Sequence, residues 1–166
     1  TPTDTNSYKT VEVTVTVEVE PKNLTDIATI EAIANQVYTG SQITPANIVV
    51  KDGTITLTVG TDYTVVYGEN VNVTTGGSVT VTFKGNYSGT ATKTFTITAK
   101  NLSSVATIDP ISAVTYTGNE FTPTVVVKDG NKTLTLTTDY TVEYANNTGA
   151  GEATVTVTFT GNYAGA

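Results

Sequence analysis

From Val11 to Glu20 apolar and polar residues alternate without a break: Val-Glu-Val-Thr-Val-Thr-Val-Glu-Val-Glu. That is the period of a strand with one buried and one wet face. Similar alternation returns at Val79–Phe83, at Thr90–Thr98 and at Val155–Phe159. Shorter runs, Thr54–Thr58 and Thr133–Thr137, follow Lys51-Asp52-Gly53 and Lys128-Asp129-Gly130. Asp-Gly supplies the positive φ that a tight hairpin turn needs, so each run reads as the return strand of a hairpin. No segment has helical period over a useful length. Many short strands divided by turn chemistry predict an all-β chain of Greek-key β-sandwich type.

The pattern repeats. Asn23-Leu24-Thr25-Asp26-Ile27-Ala28-Thr29-Ile30 returns as Asn101-Leu102-Ser103-Ser104-Val105-Ala106-Thr107-Ile108, and Tyr38-Thr39-Gly40 as Tyr116-Thr117-Gly118. Ile48-Val49-Val50-Lys51-Asp52-Gly53 returns as Val125-Val126-Val127-Lys128-Asp129-Gly130, and Thr61-Asp62-Tyr63-Thr64-Val65 as Thr138-Asp139-Tyr140-Thr141-Val142. Gly85-Asn86-Tyr87 returns as Gly161-Asn162-Tyr163. The spacing is 76 to 78 residues, and the clear length difference falls in the loop around Asn70 to Gly77. A period of this size, filled with strand signals, predicts two tandem domains, 23–100 and 101–166, preceded by a tail and a strand over 1–22. Within that tail Thr1 to Thr10 is polar and without pattern.

Each end of the chain is anomalous against this period. Pro21-Lys22-Asn23-Leu24 aligns with Ala99-Lys100-Asn101-Leu102, which places Val19 on Ile97, Val17 on Phe95, Val15 on Lys93 and Val13 on Ala91. The alternate residues Glu20, Glu18, Thr16 and Thr14 fall on Thr98, Thr96, Thr94 and Thr92. Residues 11–20 thus read as the last strand of a preceding repeat, while the second repeat reaches Ala166, aligned with Thr90, without its own copy. The second domain is therefore expected to lack its last strand. Residues 11–20 could be the tail of a further repeat or an independent donor strand. Nothing like Gly-Asn-Tyr-Ser-Gly precedes Val11, which favours the donor. In that reading Val11, Val13, Val15, Val17 and Val19 are the donor face, and Ala153, Val155, Val157 and Phe159 lie on the acceptor strand Ala153 to Thr160 of a neighbouring subunit. The tail Thr1 to Thr10 is expected to dock beside it.

Tyr-Thr-Gly, Val-Lys-Asp-Gly, Asp-Tyr-Thr-Val and Gly-Asn-Tyr-x-Gly, in that order, resemble the tandem immunoglobulin-like repeats of large microbial surface proteins. The resemblance covers Leu24 to Ala166 and implies two Ig-like sandwiches serving as stalk, adhesin module or spacer. The displaced strand resembles donor-strand polymerisation in pilus subunits, although no pilin signature is shared.

Composition narrows the picture. Thr accounts for 39 of the 166 residues, and β-branched side chains on that scale suit a pleated surface. The net charge of −7, with eight Lys and no Arg, makes nucleic acid and anionic membranes poor partners. No apolar run is long enough for a membrane-spanning helix, and no signal peptide opens the chain. With Thr1 read as the start of a processed form, a secreted, cell-surface location is expected. Cys, His, Met and Trp are absent, which removes disulfides, thiolate chemistry and the usual zinc and copper ligands.

Little is left for catalysis. Asp62 and Asp139 could serve as carboxylates for acid–base work, but a turn aspartate ahead of a strand accounts for both. Tyr87 and Tyr163 could stack on sugars, or could cover the end of a sandwich as a corner tyrosine does. Asp52 and Asp129 are hairpin residues, and Asp26, Glu31 and Asp109 do not form a Ca²⁺ loop. No enzyme activity, catalytic metal or cofactor is expected; weak Ca²⁺ at acidic loops stays open. Six Asn-x-Ser/Thr sequons, at Asn23, Asn72, Asn86, Asn101, Asn131 and Asn146, make glycosylation plausible on a secreted filament. The function expected is a structural subunit of an extracellular filament, polymerising head to tail with identical subunits. The alternative is an Ig-like spacer or a module of a larger adhesin that binds a host, cell or glycan ligand through its loops.

Overall fold

The computed structural model describes residues 11–166, and the expectation that Thr1 to Thr10 docks lies outside them. The described chain is all-β: strands, turns and loops, with no helix. The first repeat contains β1 (Lys22–Asn23), β2 (Thr29–Ile30), β3 (Gln36–Val37), β4 (Val50–Asp52), β5 (Ile55–Thr56), β6 (Tyr63–Tyr67), β7 (Thr74–Phe83), β8 (Tyr87–Ser88) and β9 (Thr90–Thr98). The second contains β10 (Lys100–Asn101), β11 (Ala106–Ile108), β12 (Val127–Asp129), β13 (Lys132–Thr133), β14 (Tyr140–Ala145), β15 (Thr154–Phe159) and β16 (Tyr163–Ala164).

In the first repeat a three-stranded sheet, β2-β4-β5, accompanies a four-stranded sheet, β3-β9-β7-β6, and β1 pairs in parallel with β8. Alternation explains the packing. Phe95 and Ile97 of β9, and Val79, Val81 and Phe83 of β7, point inward and are buried, while the threonines between them face outward or sit half-covered. Leu24, Ile30, Val50, Leu57, Tyr63, Val81 and Phe83, drawn from both sheets, form one buried cluster, as a sandwich requires. The second repeat reproduces β11-β12-β13 and the parallel β10-β16 pair, but its other sheet holds only β14-β15.

Turn chemistry sets where the strands stop. Gly53 and Gly130 take φ of 59° and 56° in the Asp-Gly turns, closing β4-β5 and β12-β13 with two-residue loops. The return strands are shorter than the alternation of Thr54–Thr58 and Thr133–Thr137 predicts. Leu57 and Leu134 still donate to Val50 and Val127, but the amide of Thr58 donates to the Asp62 carboxylate at 2.7 Å, and that of Thr135 to Asp139 at 2.8 Å. A backbone donor held by a carboxylate leaves the ladder, so the strand ends there. These aspartates are turn residues. β7 is longer than Val79–Phe83 suggests, because it begins at Thr74 and absorbs part of the variable loop with a register shift between Thr74 and Gly77.

Buried tyrosines tie the loops down. Tyr63 and Tyr140 donate to the carbonyls of Ile48 and Val125, both at 2.7 Å. Tyr67 and Tyr144 donate to the carbonyls of Pro45 and Pro123. Burial pushes the Tyr63 phenol above its ordinary value, helped by the Asp62 charge; burial does the same for Tyr140, helped by Tyr144 and Asp139.

The sign of the pH dependence follows. A phenol whose folded value lies above its unfolded one contributes stability that is fully present below pH ~10 and is lost as pH rises through the folded value. Thermal melting is expected to be flat from neutral pH to about 9 and to fall above about 10, in step with tyrosinate absorbance. A melting temperature indifferent to pH across that upper range would contradict the burial of these two side chains.

Candidate functional site

The two repeats differ most where β9 would be copied. In the first repeat β9 lies between β3 and β7, parallel to one and antiparallel to the other: Ile97 stands opposite Gln36, and the ladder on β7 runs from Gly77 opposite Phe95 to Thr82 opposite Thr90. The alternating runs Thr90–Thr98 and Val79–Phe83 are thus partners in one sheet. In the second repeat β15 pairs with β14 on one side, and no strand among the described residues pairs with its other edge. A groove of about 480 Å³ lies there, lined by Ile111, Val114, Tyr116, Phe121, Ala153 and Val155 among others. That exceeds by far the water-sized voids left in a close-packed interior.

Comparing equivalent positions shows what the groove lacks. Tyr38, covered by Tyr163 of the next repeat, is 7% exposed, but its counterpart Tyr116, with no such cover among the described residues, is 66% exposed. Ile43 is 7% exposed and Phe121 is 40%. Ile30 is buried in the cluster with Leu24, Val50 and Val81, whereas Ile108 is 46% exposed. The segment matching β3, around Val114 and Thr115, is unpaired and wet. The acceptor residues read from the sequence divide by depth. Val157 and Phe159 are buried in the core, Val155 packs half-buried against it, and Ala153, just ahead of β15, is exposed at the mouth. Ile111, Tyr116 and Phe121 escaped the sequence reading. Their signal was their apolar counterparts Ile33, Tyr38 and Ile43 in the complete repeat.

The complementary part is the segment Val11–Glu20. It pairs with no other segment among the described residues, and its five valines are 77% to 87% exposed. A face of contiguous valines left in water is a strong unsatisfied apolar surface. In the alignment of residues 11–20 on β9, Val17 corresponds to Phe95, which stands opposite Gly77 on β7, and the counterpart of Gly77 is Ala153. In the first repeat a Cβ added at Gly77 would lie 3.0 Å from Phe95 Cζ and 3.1 Å from Cε2, so the phenyl ring needs a glycine opposite it. The place of Gly77 is held by Ala153 in the second repeat, and the residue of 11–20 that aligns with Phe95 is Val17. Glycine with phenylalanine and alanine with valine have roughly the same summed volume.

The ends of the repeats carry the rest of the polar geometry. Lys100 donates to both Asp129 carboxylate oxygens at 2.7 and 2.6 Å, and its amide donates to the Asn162 carbonyl at 3.0 Å. Lys22 does the same with Asp52, at 2.7 and 2.6 Å, and with the Asn86 carbonyl at 2.9 Å. The segment that follows β9 and the segment that follows residues 11–20 are therefore held identically. Asp52 and Asp129 combine their hairpin place with this ion pair. Tyr163 is buried at the joint between the repeats, and Tyr87 is half-buried. The six sequon asparagines, Asn23, Asn72, Asn86, Asn101, Asn131 and Asn146, are all exposed. Among the described residues no three carboxylates converge as metal ligands would.

Comparison with protein-family models, with curated proteins and with solved structures returned no match.

The size exchange between the two slots is testable within the first repeat. Gly77→Ala is expected to cost about 1–3 kcal/mol by overpacking against Phe95, and Phe95→Val about 1–3 kcal/mol by the cavity it leaves. The double variant, with the residue types found at positions 153 and 17, should cost less than the sum in a urea-unfolding cycle. Strict additivity would show that the two side chains do not constrain each other.

Proposed function

We propose that this protein is the structural subunit of an extracellular filament, built from two tandem Ig-like Greek-key sandwiches, and that it polymerises head to tail. Residues 11–20 of one copy enter the groove of the next, between the Val114–Thr115 segment and β15, as β9 lies between β3 and β7. Val17 then stands opposite Ala153, Val15 opposite Val155 and Val13 opposite Val157, with Val19 beside Val114. Glu12, Thr14, Thr16, Glu18 and Glu20 face outward. The observation that carries this reading is that the unpaired valine face of residues 11–20, which aligns with β9, and the open edge of β15, where a copy of β9 would lie, occur in one chain. Each valine removed from water contributes about 1.5 kcal/mol or more. Pairing also satisfies the edge of β15, which otherwise offers unpaired backbone groups to any passing strand.

A second reading rests on the first repeat itself. There the slot is filled in cis by β9, which runs directly into the next repeat. A longer chain could fill the second slot in the same way, and the protein would then be a spacer or binding module of a larger surface protein.

Electron microscopy of the purified protein separates the two. The filament reading expects unbranched fibres one domain wide, and the spacer reading expects small monodisperse particles. Val15→Asp with Val17→Asp should abolish fibres while the first repeat keeps its melting transition. A chain that begins at Asn23 should lose stability in its second repeat, and a peptide of residues 9–22 should restore it. Fibres that persist in the double aspartate variant, together with a second repeat insensitive to the peptide, would reject the filament reading.

A further inference from the structure

The joint between the repeats of one chain is a built interface. Tyr38 of the first repeat meets Tyr163 of the second edge to face, with ring centroids 5.4 Å apart and planes at 84°. The Lys132 ammonium caps the pair. It donates to Tyr163 Oη at 3.0 Å and to Tyr38 Oη at 3.4 Å, and stands 5.3 and 5.7 Å from the two ring centroids. Beside them the Val73 amide donates to Asn162 Oδ1, and Asn162 Nδ2 donates to Asn72 Oδ1, both at 2.9 Å.

The outer ends of the chain carry the same positions with different residues. At the start of the first repeat Tyr87 occupies the place of Tyr163, Asn86 that of Asn162 and Ile55 that of Lys132. At the far end of the second repeat Tyr116 occupies the place of Tyr38. These outer residues are uncovered: Tyr116 is 66% exposed and Ile55 57%, and Tyr87 is half-exposed where Tyr163 is 3%. Ion pair and backbone contacts lead into both repeats in the same way, Lys22–Asp52 in one and Lys100–Asp129 in the other.

Resting on the donor-strand reading, we infer that the joint between two copies repeats the internal joint in apolar form: Tyr116 of one copy packs on Tyr87 of the next, and Ile55 takes the place of the capping lysine. The partner is a second copy of this chain, and the contact lies at the Tyr116 end of the groove, beyond the strand pairing. The exchange removes a charge. The internal joint holds an ammonium on the hydroxyl ends of two rings, whereas the joint between copies buries an isoleucine against them. The Asn72–Asn162 bridge is also lost, because the shortened loop of the second repeat presents Gly149 where Asn72 stands. The contact between copies therefore relies on shape and burial and depends little on salt.

The chain has no cysteine, so introduced pairs report cleanly. Two full-length double variants are treated with a short bis-maleimide or mild oxidant: Ile55→Cys with Tyr116→Cys, and Val17→Cys with Ala153→Cys. All four side chains are exposed, so the fold tolerates the changes. Ladders of covalent multimers from both variants are the expected result. A ladder from Val17→Cys/Ala153→Cys alone overturns the joint and leaves the donor strand standing. A ladder from neither overturns both, and one from Ile55→Cys/Tyr116→Cys alone supports the joint while rejecting strand insertion. In untreated fibres Tyr116→Ala should speed loss of subunits roughly tenfold. Ile55→Lys, which restores the internal chemistry, should leave assembly intact but make it sensitive to salt, and assembly equally indifferent to Tyr116→Ala would overturn the inference.

Discussion

The strand that closes a repeat is also the strand that leads out of it. β9 completes the four-stranded sheet between β3 and β7, and within two residues of Thr98 the chain has reached Lys100 at the start of the next repeat. Closure and connection are thus one covalent fact. A sheet position between two strands must be filled, because both neighbours present backbone donors and acceptors and an apolar face that water satisfies poorly. In the first repeat the strand that fills it runs straight into the module that comes after. The first repeat obeys this with its own chain, and the second presents the same slot with its apolar lining in water.

That arrangement accounts for the buried clusters. They do not divide one to each repeat. Tyr38, Ile43, Val79, Phe95 and Ile97 belong to a cluster that continues through Leu102, Val125 and Val127 to Tyr163. The lower half of the first repeat and the whole core of the second are joined through the tyrosine pair at the joint. Two cores sharing an edge couple their stabilities, and a cut between the repeats would expose apolar surface in both.

Much of this was legible in the chain. Alternation at Thr90–Thr98 delimits β9 correctly, and the Asp-Gly pairs mark both hairpins, because period and turn chemistry are local properties. The alignment of residues 11–20 on β9 needed only faces and the shared Lys-Asn-Leu that follows. The lengths of β5 and β13 were not legible, because the carboxylates of Asp62 and Asp139 compete with the ladder and their reach is a matter of three dimensions. Nor was the joint. Tyr38 and Tyr163 lie far apart in sequence, and no period links them. The clue was a departure from the repeat, Lys132 where the first copy has Ile55, and its meaning appears only once the two tyrosines stand beneath it. Asn70 is similar. It looks like a loop residue, yet it is buried, accepting from the Ser78 amide at 2.8 Å and donating to the carbonyl of Ser78 at 2.9 Å and of Ile43 at 3.2 Å.

The direction of β9 has a mechanical side. Because the chain leaves the first repeat along the axis of β9, tension between successive repeats pulls that strand lengthwise past β3 and β7 rather than peeling it sideways. Hydrogen bonds that run across the direction of pull are strained together, so many must fail at once, whereas a peeled edge loses them singly. The first repeat therefore opposes a pull along β9 with more force than the same bonds would offer to peeling.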